Sequence, residues 1–321
     1  MRILVAGGAG FIGSVLVSLL QDHGYEVDVI DLLWFGNRLP EDTKVLQRDL
    51  FTLSEDDLRV YDQVIFLAGL SNDPMAEYSP VKNFIDNGAL PSYLAYTAKK
   101  AGVSRFIYAS SCSVYGYTVN ELYDEEAPVT CGYPYGISKL QGERGVLQLQ
   151  DDSFSTIAIR QGTVCGHSPR ARFDLIVNTM FKFAMLDGRI TVNNPAIWRP
   201  ILDVRDTSAA FLRSVQADHA VSGVFNVAYD NFTVGVIGDI VKDEVEALTG
   251  RKVKMKVDNI HDFRNYKVNT EKARTTLGFQ AKYGVADMVR SLYAHHESYG
   301  DYNQDVFYNI NTLKKMDADS V

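Results

Sequence analysis

Three glycines that follow a short apolar run near the start of the chain constrain its fold most strongly. Residues 2–6 are typical of a buried parallel strand, and Gly7, Gly10 and Gly13 follow at the spacing of a dinucleotide-binding loop. The first glycine allows a tight turn, the second lets backbone amides approach a diphosphate, and the third lets the next helix pack close to the strand. The N-terminus of that helix adds partial positive charge. The pattern predicts a strand, turn and helix that cradle a dinucleotide.

An acidic residue stands where a bound dinucleotide would place its adenosine ribose. The apolar run 27–30 ends at Asp31, about 20 residues beyond the glycine loop. A carboxylate there holds the ribose hydroxyls and repels a 2′-phosphate, so the sequence favours NAD over NADP, although Arg38 nearby weakens this preference slightly. A glycine-rich turn without a ligand is the alternative. The ordered series of strand, turn, helix, strand and acid disfavours it.

Composition and charge exclude several classes of protein. The chain has 321 residues and a net charge of −8, which argues against a general nucleic-acid-binding surface. No apolar stretch is long enough to span a membrane, and the first predicted strand leaves no room for a signal peptide. Cys112, Cys131 and Cys165 have no metal-ligand spacing and form no even disulfide set. We therefore expect a cytoplasmic protein without a metal site.

Apolar runs alternate with helical stretches up to about residue 160, which is the pattern of an α/β, Rossmann-type doubly wound parallel sheet. The further strands predicted in this part are 44–48, 63–68, 104–109 and 155–160. The helices predicted with them lie near 54–60, 81–101 and 134–149.

The alternation of apolar runs and helical stretches ends after Arg160. The segment 161–174 is loop-like, with glycine, proline and several arginines. Beyond it we predict a strand at 221–228 and helices near 174–187, 206–216, 234–248, 270–277 and 284–297. We therefore expect a smaller, interwoven C-terminal substrate lobe. The predicted division is an NAD-binding domain at 1–166 with about 201–228, a substrate-binding lobe at 167–200 and 229–310, for which the family resemblance described below implies a nucleotide sugar, and a tail at 311–321.

A serine, a tyrosine and a lysine supply the chemistry. Pro134 suits the first turn of a helix, on which Tyr135 and Lys139 fall on one face. Tyrosine has a pKa near ~10, but an ammonium and a positive nicotinamide favour the phenolate, and a fall of roughly 3 units corresponds to about 4 kcal/mol. Tyr135 would then be a general base toward a sugar hydroxyl, with Lys139 on the nicotinamide ribose and Ser111 bonded to the same hydroxyl. The alternative is that Tyr135 and Lys139 form a solvent-exposed pair on the helix and have no catalytic role.

Two longer motifs carry a family resemblance. The segments 110–116 (SSCSVYG) and 133–139 (YPYGISK) resemble the extended short-chain dehydrogenase/reductase family, and more narrowly its nucleotide-sugar epimerases and dehydratases. The resemblance covers nearly the whole chain. It implies an NAD-dependent enzyme that oxidises C4 of a nucleoside-diphosphate sugar to a 4-keto species, and then acts most simply as a 4-epimerase or a 4-dehydrogenase.

The resemblance also implies roles for individual residues. The catalytic positions are Ser111, Tyr135 and Lys139. The implied cofactor-binding residues, which join the loop and ribose positions already derived, are Gly7, Gly10, Phe11, Ile12, Gly13, Asp31, Asp49, Leu50, Leu67, Ala68, Gly69, Asn87, Tyr135 and Lys139. The candidate substrate-binding residues are Arg172, Arg199, Arg264 and His167, of which Arg199 and Arg264 match arginines that contact the nucleotide diphosphate.

Departures from the family pattern bear on the reaction. Sugar 4,6-dehydratases carry an acid pair where Cys112 and Ser113 stand here, so dehydration is the weaker alternative. The 3,5-epimerases place a cysteine at the position of Ser113, which leaves Cys112 most simply as a small buried side chain. His167 could protonate the sugar, or contact phosphate or solvent. An alternative of another class is a non-catalytic NAD-sensing regulator on the same fold.

Two expectations concern surfaces. Guanidinium groups suit bidentate phosphate binding, but we expect Arg205, and with it Arg170, to form surface salt bridges. Gly142 and Gly145 lie within a predicted helix, where each costs about 1 kcal/mol relative to alanine. Close approach of a second helix, such as that of a partner subunit, would explain them. Together with the family resemblance this predicts a homodimer.

Overall fold

The computed structural model describes residues 1–259 and 264–319. Its strands are β1 (Arg2–Ala6), β2 (Glu26–Asp31), β3 (Lys44–Gln47), β4 (Gln63–Phe66), β5 (Arg105–Ser111), β6 (Tyr117–Tyr123), β7 (Ser155–Gln161), β8 (Thr163–Cys165), β9 (Arg189–Asn193), β10 (Trp198–Asp203), β11 (Gly223–Val227), β12 (Asp230–Thr233), β13 (Lys254–Asp258) and β14 (Asn265–Val268). Its α-helices are α1 (Gly13–Asp22), α2 (Glu55–Leu58), α3 (Asp73–Tyr78), α4 (Pro80–Phe84), α5 (Leu90–Ala101), α6 (Pro134–Leu147), α7 (Ile176–Asp187), α8 (Val204–Gln216), α9 (Val234–Thr249), α10 (Glu271–Leu277), α11 (Val285–Ala294) and α12 (Asn309–Asp319).

A seven-stranded sheet in the order β11-β7-β5-β4-β1-β2-β3 forms the first lobe, and all of its strand pairs are parallel. Alternate residues of β1 point to opposite faces, so Ile3 packs with α1 and α8 on one face and Leu4 packs with α5 and α6 on the other. This architecture confirms the doubly wound α/β fold. The carboxyl ends of its parallel strands meet at one edge, where ligands of such sheets bind.

The helix predicted at 81–101 is interrupted by one π-helical turn, Ile85–Ala89, between α4 and α5. The N–H of Leu90 bonds to the carbonyl of Ile85, five residues back. Pro91 has no N–H for the carbonyl oxygen of Asn87, and this oxygen instead accepts a hydrogen bond from Tyr108 Oη at 3.0 Å. The Tyr108 hydroxyl therefore keeps the Asn87 carbonyl oxygen paired within the π-helical turn.

The second lobe has its own hydrophobic core between α7, α9 and α11, which includes Phe181, Val241 and Met288. Small sheets surround it, in the orders β12-β10-β8 and β13-β9, and a further pair joins β14 to β6. The strands of these sheets come from distant parts of the chain. The domain division stays a prediction, and residues 260–263 and 320–321 lie outside the described residues.

Several elements differ from the sequence-based expectations. The segment predicted as loop-like contains β8, which pairs in parallel with β10 through Ile201 and Thr163. The sequence pattern missed β6, β9, α3 and α12, and α12 occupies much of the predicted tail. These elements are short or bury their apolar side chains only against a remote partner, so they lack a strong periodic pattern. No helix within the described residues is long and apolar enough to cross a membrane.

Candidate active site

A cavity of about 820 Å³ opens at the carboxyl ends of the parallel strands, between the two lobes. The predicted residues that line it are Gly7, Gly10, Phe11, Ile12, Gly13, Asp31, Asp49, Leu50, Leu67, Ala68, Gly69, Ser111, Tyr135, Lys139, Arg172, Arg199 and Arg264. Residues from both ends of the sequence therefore meet at one site. Its size lies in the range of small-molecule and cofactor sites.

The glycine loop is shaped by packing at two positions and by open space at the third. Gly7 has a φ of +79°, and a Cβ there would lie 2.6 Å from the backbone of Ala68. A Cβ on Gly13 would lie 2.3 Å from the carbonyl oxygen of Gly8. In contrast, a Cβ on Gly10 would meet only the Gly7 oxygen, at 3.3 Å, and would otherwise fill the cavity. This cradle beside the start of α1 fits a dinucleotide diphosphate.

Asp31 ends β2 at the cavity. Its Oδ2 accepts a hydrogen bond from the Ala9 N–H at 3.0 Å, and its Oδ1 accepts one from the Leu33 N–H at 2.7 Å. Burial raises the pKa of this carboxyl, although these backbone bonds oppose the rise. The carboxylate is thus fixed beside the glycine loop, where it suits the ribose hydroxyls of NAD.

Tyr135, Lys139 and Ser111 are brought together by α6 and the end of β5. Ser111 hydrogen-bonds to the Tyr135 side chain, and its Oγ accepts from the Ser113 hydroxyl at 2.9 Å. Lys139 donates from Nζ to the carbonyl oxygen of Ala109 at 2.9 Å. Nζ lies 6.0 Å from the centre of the Tyr135 ring. The arrangement places a phenol, a hydroxyl and a cation on one wall of the cavity.

The fall in the pKa of Tyr135 that a bound nicotinamide would favour stays a prediction, and the protein alone acts in the opposite direction. Burial raises this pKa above its ordinary value, and the charge of Asp73 raises it further. Arg172 and the Ser111 hydrogen bond act in the opposite direction. Burial also lowers the pKa of Lys139 to about 7. Desolvation favours the neutral form of both groups, and the sequence pattern contained no measure of it.

Asp73 is a cavity residue that the sequence analysis missed. It begins α3, and its Oδ2 forms an ion pair with Nη1 of Arg264 at 2.8 Å. Nη1 of Arg199 donates to the carbonyl oxygen of Trp198 at 2.9 Å and also to that of Arg264. The Asn72-Asp73-Pro74 sequence, an N-cap followed by proline, could have revealed this helix start.

The arginines of segment 170–172 differ in their partners. Arg172 forms a two-point ion pair with Asp174, at 2.8 and 2.9 Å. The salt bridge expected for Arg205 is present, to Asp203 at 2.8 Å. The surface position expected for Arg170 is wrong, because this side chain is 3% exposed and lines the cavity. It donates to Asn309 at the start of α12 and stacks on the Phe35 ring, and both partners are remote in the sequence.

Two predicted contact residues do not line the cavity. His167 packs in the second lobe, where its ring stacks on His295 at 3.6 Å and its Nδ1 is 2.7 Å from Tyr299 Oη. Burial lowers its pKa to about 4, so it is neutral at physiological pH. Asn87 is buried beneath the cavity, where its Nδ2 donates to the carbonyl oxygen of Leu70 at 2.9 Å. The roles predicted for His167 and Asn87 stay predictions.

Cys112 packs as expected for a small buried side chain. It is fully buried, its Sγ is 3.1 Å from the carbonyl oxygen of Arg160, and burial raises its pKa strongly. Arg160 is held by an ion pair to Glu143 at 2.6 Å. This thiol does not line the cavity. No group of three or more metal-ligating side chains occurs in the described part of the chain.

Comparisons with known proteins agree with this site. The family model described as the NAD dependent epimerase/dehydratase family matches residues 3–228. The UDP-glucose 4-epimerase of Lactobacillus helveticus is 25% identical over 335 residues, which cover 93% of this chain and 98% of that protein. MoeE5 in complex with UDP-glucose and NAD has a TM-score of 0.81 at 26% identity, covering 94% of this chain and 100% of its own.

A further solved structure, the Bordetella bronchiseptica enzyme WbmG in complex with NAD, has a TM-score of 0.78 at 26% identity. It covers 94% of this chain and 95% of its own. The family model spans well over half of the chain, and the glycine loop and the Ser-Tyr-Lys trio line one cavity. The chain therefore belongs to the NAD-dependent epimerase/dehydratase family, and it is an enzyme whose cofactor is NAD.

Proposed function

We propose that this enzyme oxidises C4 of a nucleoside-diphosphate sugar and reduces the resulting ketone from the opposite face, which makes it a 4-epimerase. The observation that carries the proposal is that Ser111, Tyr135 and Lys139 line the same cavity as the glycine loop, with Arg199 and Arg264 on its wall. Ser111, Tyr135 and Lys139 can transfer the proton of a hydroxyl that lies next to a bound dinucleotide. The arginines suit the diphosphate of the sugar nucleotide.

Tyr135 removes the proton of the C4 hydroxyl, and Ser111 hydrogen-bonds to the same oxygen and helps to pass that proton. Lys139 holds the nicotinamide ribose and favours the phenolate through its charge. NAD held by the glycine loop and Asp31 would supply the acceptor, and then the donor, of the C4 hydride. In the return step Tyr135 gives its proton back to the C4 oxygen, so the residues finish in the state in which they began.

Dehydration has less support because the acid pair of the dehydratases is missing. Cys112 is fully buried. Ser113 lines the cavity, but its hydroxyl is not acidic enough to replace a carboxylic acid in dehydration. A regulator that only senses NAD is disfavoured by the complete trio. The curated relatives that span most of the chain, such as that of Lactobacillus helveticus, are named UDP-glucose 4-epimerases, which favours a UDP-hexose as substrate.

Epimerase and 4-dehydrogenase share the first step and differ in the fate of the ketone. An epimerase keeps the 4-keto sugar until it has turned in the site, whereas a dehydrogenase releases it and leaves NADH. Incubation with UDP-glucose and other nucleotide sugars, followed by NMR of the sugar carbons and absorbance of NADH, separates the two. Inversion at C4 without net NADH supports the proposal. Net NADH with a released ketone contradicts it.

We also propose that the enzyme is a homodimer, on grounds other than its glycines. A Cβ on Gly142 would lie 2.2 Å from the carbonyl oxygen of Asn87, and one on Gly145 would lie 1.9 Å from Ser92 Oγ. Packing within the chain therefore explains both glycines. The support comes instead from the exposed apolar face of α4 and the π turn, where Val81 is 73% exposed. Phe84 and Ile85 extend this face.

A further inference from the structure

Arg170 has unused hydrogen-bond donors at the wall of the cavity. Its Nη2 donates to Asn309 Oδ1 at 2.5 Å, and its Cζ lies 3.7 Å from the centre of the Phe35 ring. Nε and Nη1 are buried and have no acceptor among the described residues. Buried donors without acceptors are rare in folded proteins, because their lost hydration is not replaced. The position therefore suits a ligand that brings an acceptor.

Within the part of the chain that the structure describes, no carboxylate forms an ion pair with Arg170. Burial and the nearby charge of Arg172 lower its pKa to about 9, while Asp174 and Asp31 act in the opposite direction. Asp174 is already engaged in its two-point ion pair with Arg172, and both oxygens of Asp31 accept backbone hydrogen bonds. A buried guanidinium in such surroundings is stabilised by an added anion.

The glycine loop next to Arg170 favours a diphosphate as this anion. Ser168 Oγ donates to the carbonyl oxygen of Phe11 at 2.7 Å, which holds the loop that carries Arg170 against the glycine loop. Arg170 lines the same cavity as Gly10 and Ile12. A guanidinium and a helix N-terminus with free amides attract the same kind of ligand.

Asn309, the first residue of α12, connects this arginine to the first lobe. Its Nδ2 donates to Ser71 Oγ at 2.6 Å, and its backbone N–H donates to Asp174 Oδ2 at 3.4 Å. One turn further along α12, Leu313 is buried against Leu70. The C-terminal helix is thus attached to the loop after β4 and also holds Arg170.

We propose that Arg170 is a cofactor-binding residue from the second lobe that engages the diphosphate of NAD, and that Asn309 is a positioning residue that acts through Arg170. This rests on the NAD site of the proposed function, and it holds whichever sugar is turned over. The C-terminal helix then helps to retain NAD during the two hydride steps, since loosening α12 releases the guanidinium that covers the diphosphate.

Calorimetry with NAD, ADP, adenosine and UDP on the nucleotide-free, full-length protein tests the role of Arg170. Arg170→Gln should weaken NAD and ADP by roughly tenfold or more and leave adenosine and UDP within about twofold. Arg170→Lys should recover part of the loss, since the charge remains without the fork. Unchanged NAD affinity, equal losses for adenosine and ADP, or a loss confined to UDP would each overturn the proposal.

The role of Asn309 is tested by the dissociation rate of NAD. Asn309→Ala should speed dissociation severalfold, because Arg170 loses the acceptor that fixes its Nη2. Asn311→Ala is the matched control, since Asn311 lies on the same helix and its side chain donates to exposed Asp305. If Asn309 acts through Arg170, the double variant of Arg170→Gln and Asn309→Ala loses no more than Arg170→Gln alone. Additive losses would overturn this role. Absent sugar turnover with these affinity changes intact would count only against the 4-epimerase proposal.

Discussion

Lys139 donates a hydrogen bond to the carbonyl oxygen of Ala109 at 2.9 Å, at the carboxyl end of β5. The bond fixes the cation beside the Tyr135 ring, 6.0 Å from its centre. Burial lowers the pKa of Lys139 to about 7 and raises that of Tyr135. The protein alone therefore favours a neutral pair. The positive nicotinamide ring of bound NAD would favour the phenolate of Tyr135, and that phenolate would in turn favour the ammonium form of Lys139.

Tyr135→Phe removes one oxygen and preserves most of the packing. We expect NAD affinity to stay within about twofold and turnover to fall by roughly 10²-fold or more, because the general base is lost. Ser111→Ala should also spare NAD binding and reduce the rate, whereas Lys139→Met should weaken both. Calorimetry and a coupled assay measure the two quantities.

Cys112→Ala is the matched control for these variants, since the thiol is buried away from the cavity and should leave most of the activity. Near-normal turnover in Tyr135→Phe would remove the proton-transfer mechanism and leave the NAD site standing.

Asp73→Asn should shift the pH dependence of turnover. Burial raises the pKa of Tyr135, and the negative charge of Asp73 raises it further. Removing that charge lowers the pKa, so the phenolate forms at lower pH and the rising limb of kcat moves toward acid. A profile of kcat between about pH 6 and 10 shows the shift. Asp86→Asn is the control, because Asp86 also lines the cavity and pairs with Lys82. An upward shift, or none, would refute this account.

Asp31→Ala should weaken NAD binding and reduce the preference for NAD over NADP. The carboxylate accepts from the Ala9 and Leu33 amides and is fixed for the ribose hydroxyls, so its loss removes both the attraction to them and the repulsion of a 2′-phosphate. Titration with each cofactor gives the ratio of dissociation constants. A ratio that does not change would place the ribose elsewhere.

Gly142→Ala should destabilise the fold in spite of the better helix propensity of alanine. The new Cβ would lie 2.2 Å from the Asn87 carbonyl oxygen and 2.6 Å from Tyr108 Oη, both held in the core. Overpacking of this kind costs about 1–3 kcal/mol, against a gain of about 1 kcal/mol in helix propensity. Urea unfolding measures the difference. Gly132→Ala, with nothing within 4 Å of its Cβ, should be nearly neutral. Equal stabilities of the two variants would argue against this packing.

Val81→Asp should dissociate the proposed homodimer, because Val81 is the most exposed residue of the apolar face formed with Phe84 and Ile85. Light scattering at micromolar concentration should give a dimer for the parent protein and a smaller species for the variant. Val257→Asp, at an exposed apolar position on β13, is the control and should remain dimeric. A monomeric parent protein would remove the proposal.

Local patterns sufficed to predict the first lobe and much of the site. Each strand of the parallel sheet is a short apolar run, and the glycine loop, Asp31 and the trio each depend on spacing within a few residues or on one βαβ unit. These features are encoded by neighbours in the chain, so periodicity and turn chemistry reveal them. The sequence by itself thus determined the fold class, the NAD cradle and the catalytic trio.

Tertiary structure alone decided which remote groups meet at the cavity and how burial changes them. Asp73 reaches Arg264 across 191 positions, and Arg170 reaches Asn309 across 139. Burial of Arg170 and the raised pKa of Tyr135 follow from these long-range arrangements. Pair distances and desolvation depend on how the lobes pack, and a single sequence contains no local pattern that measures either quantity.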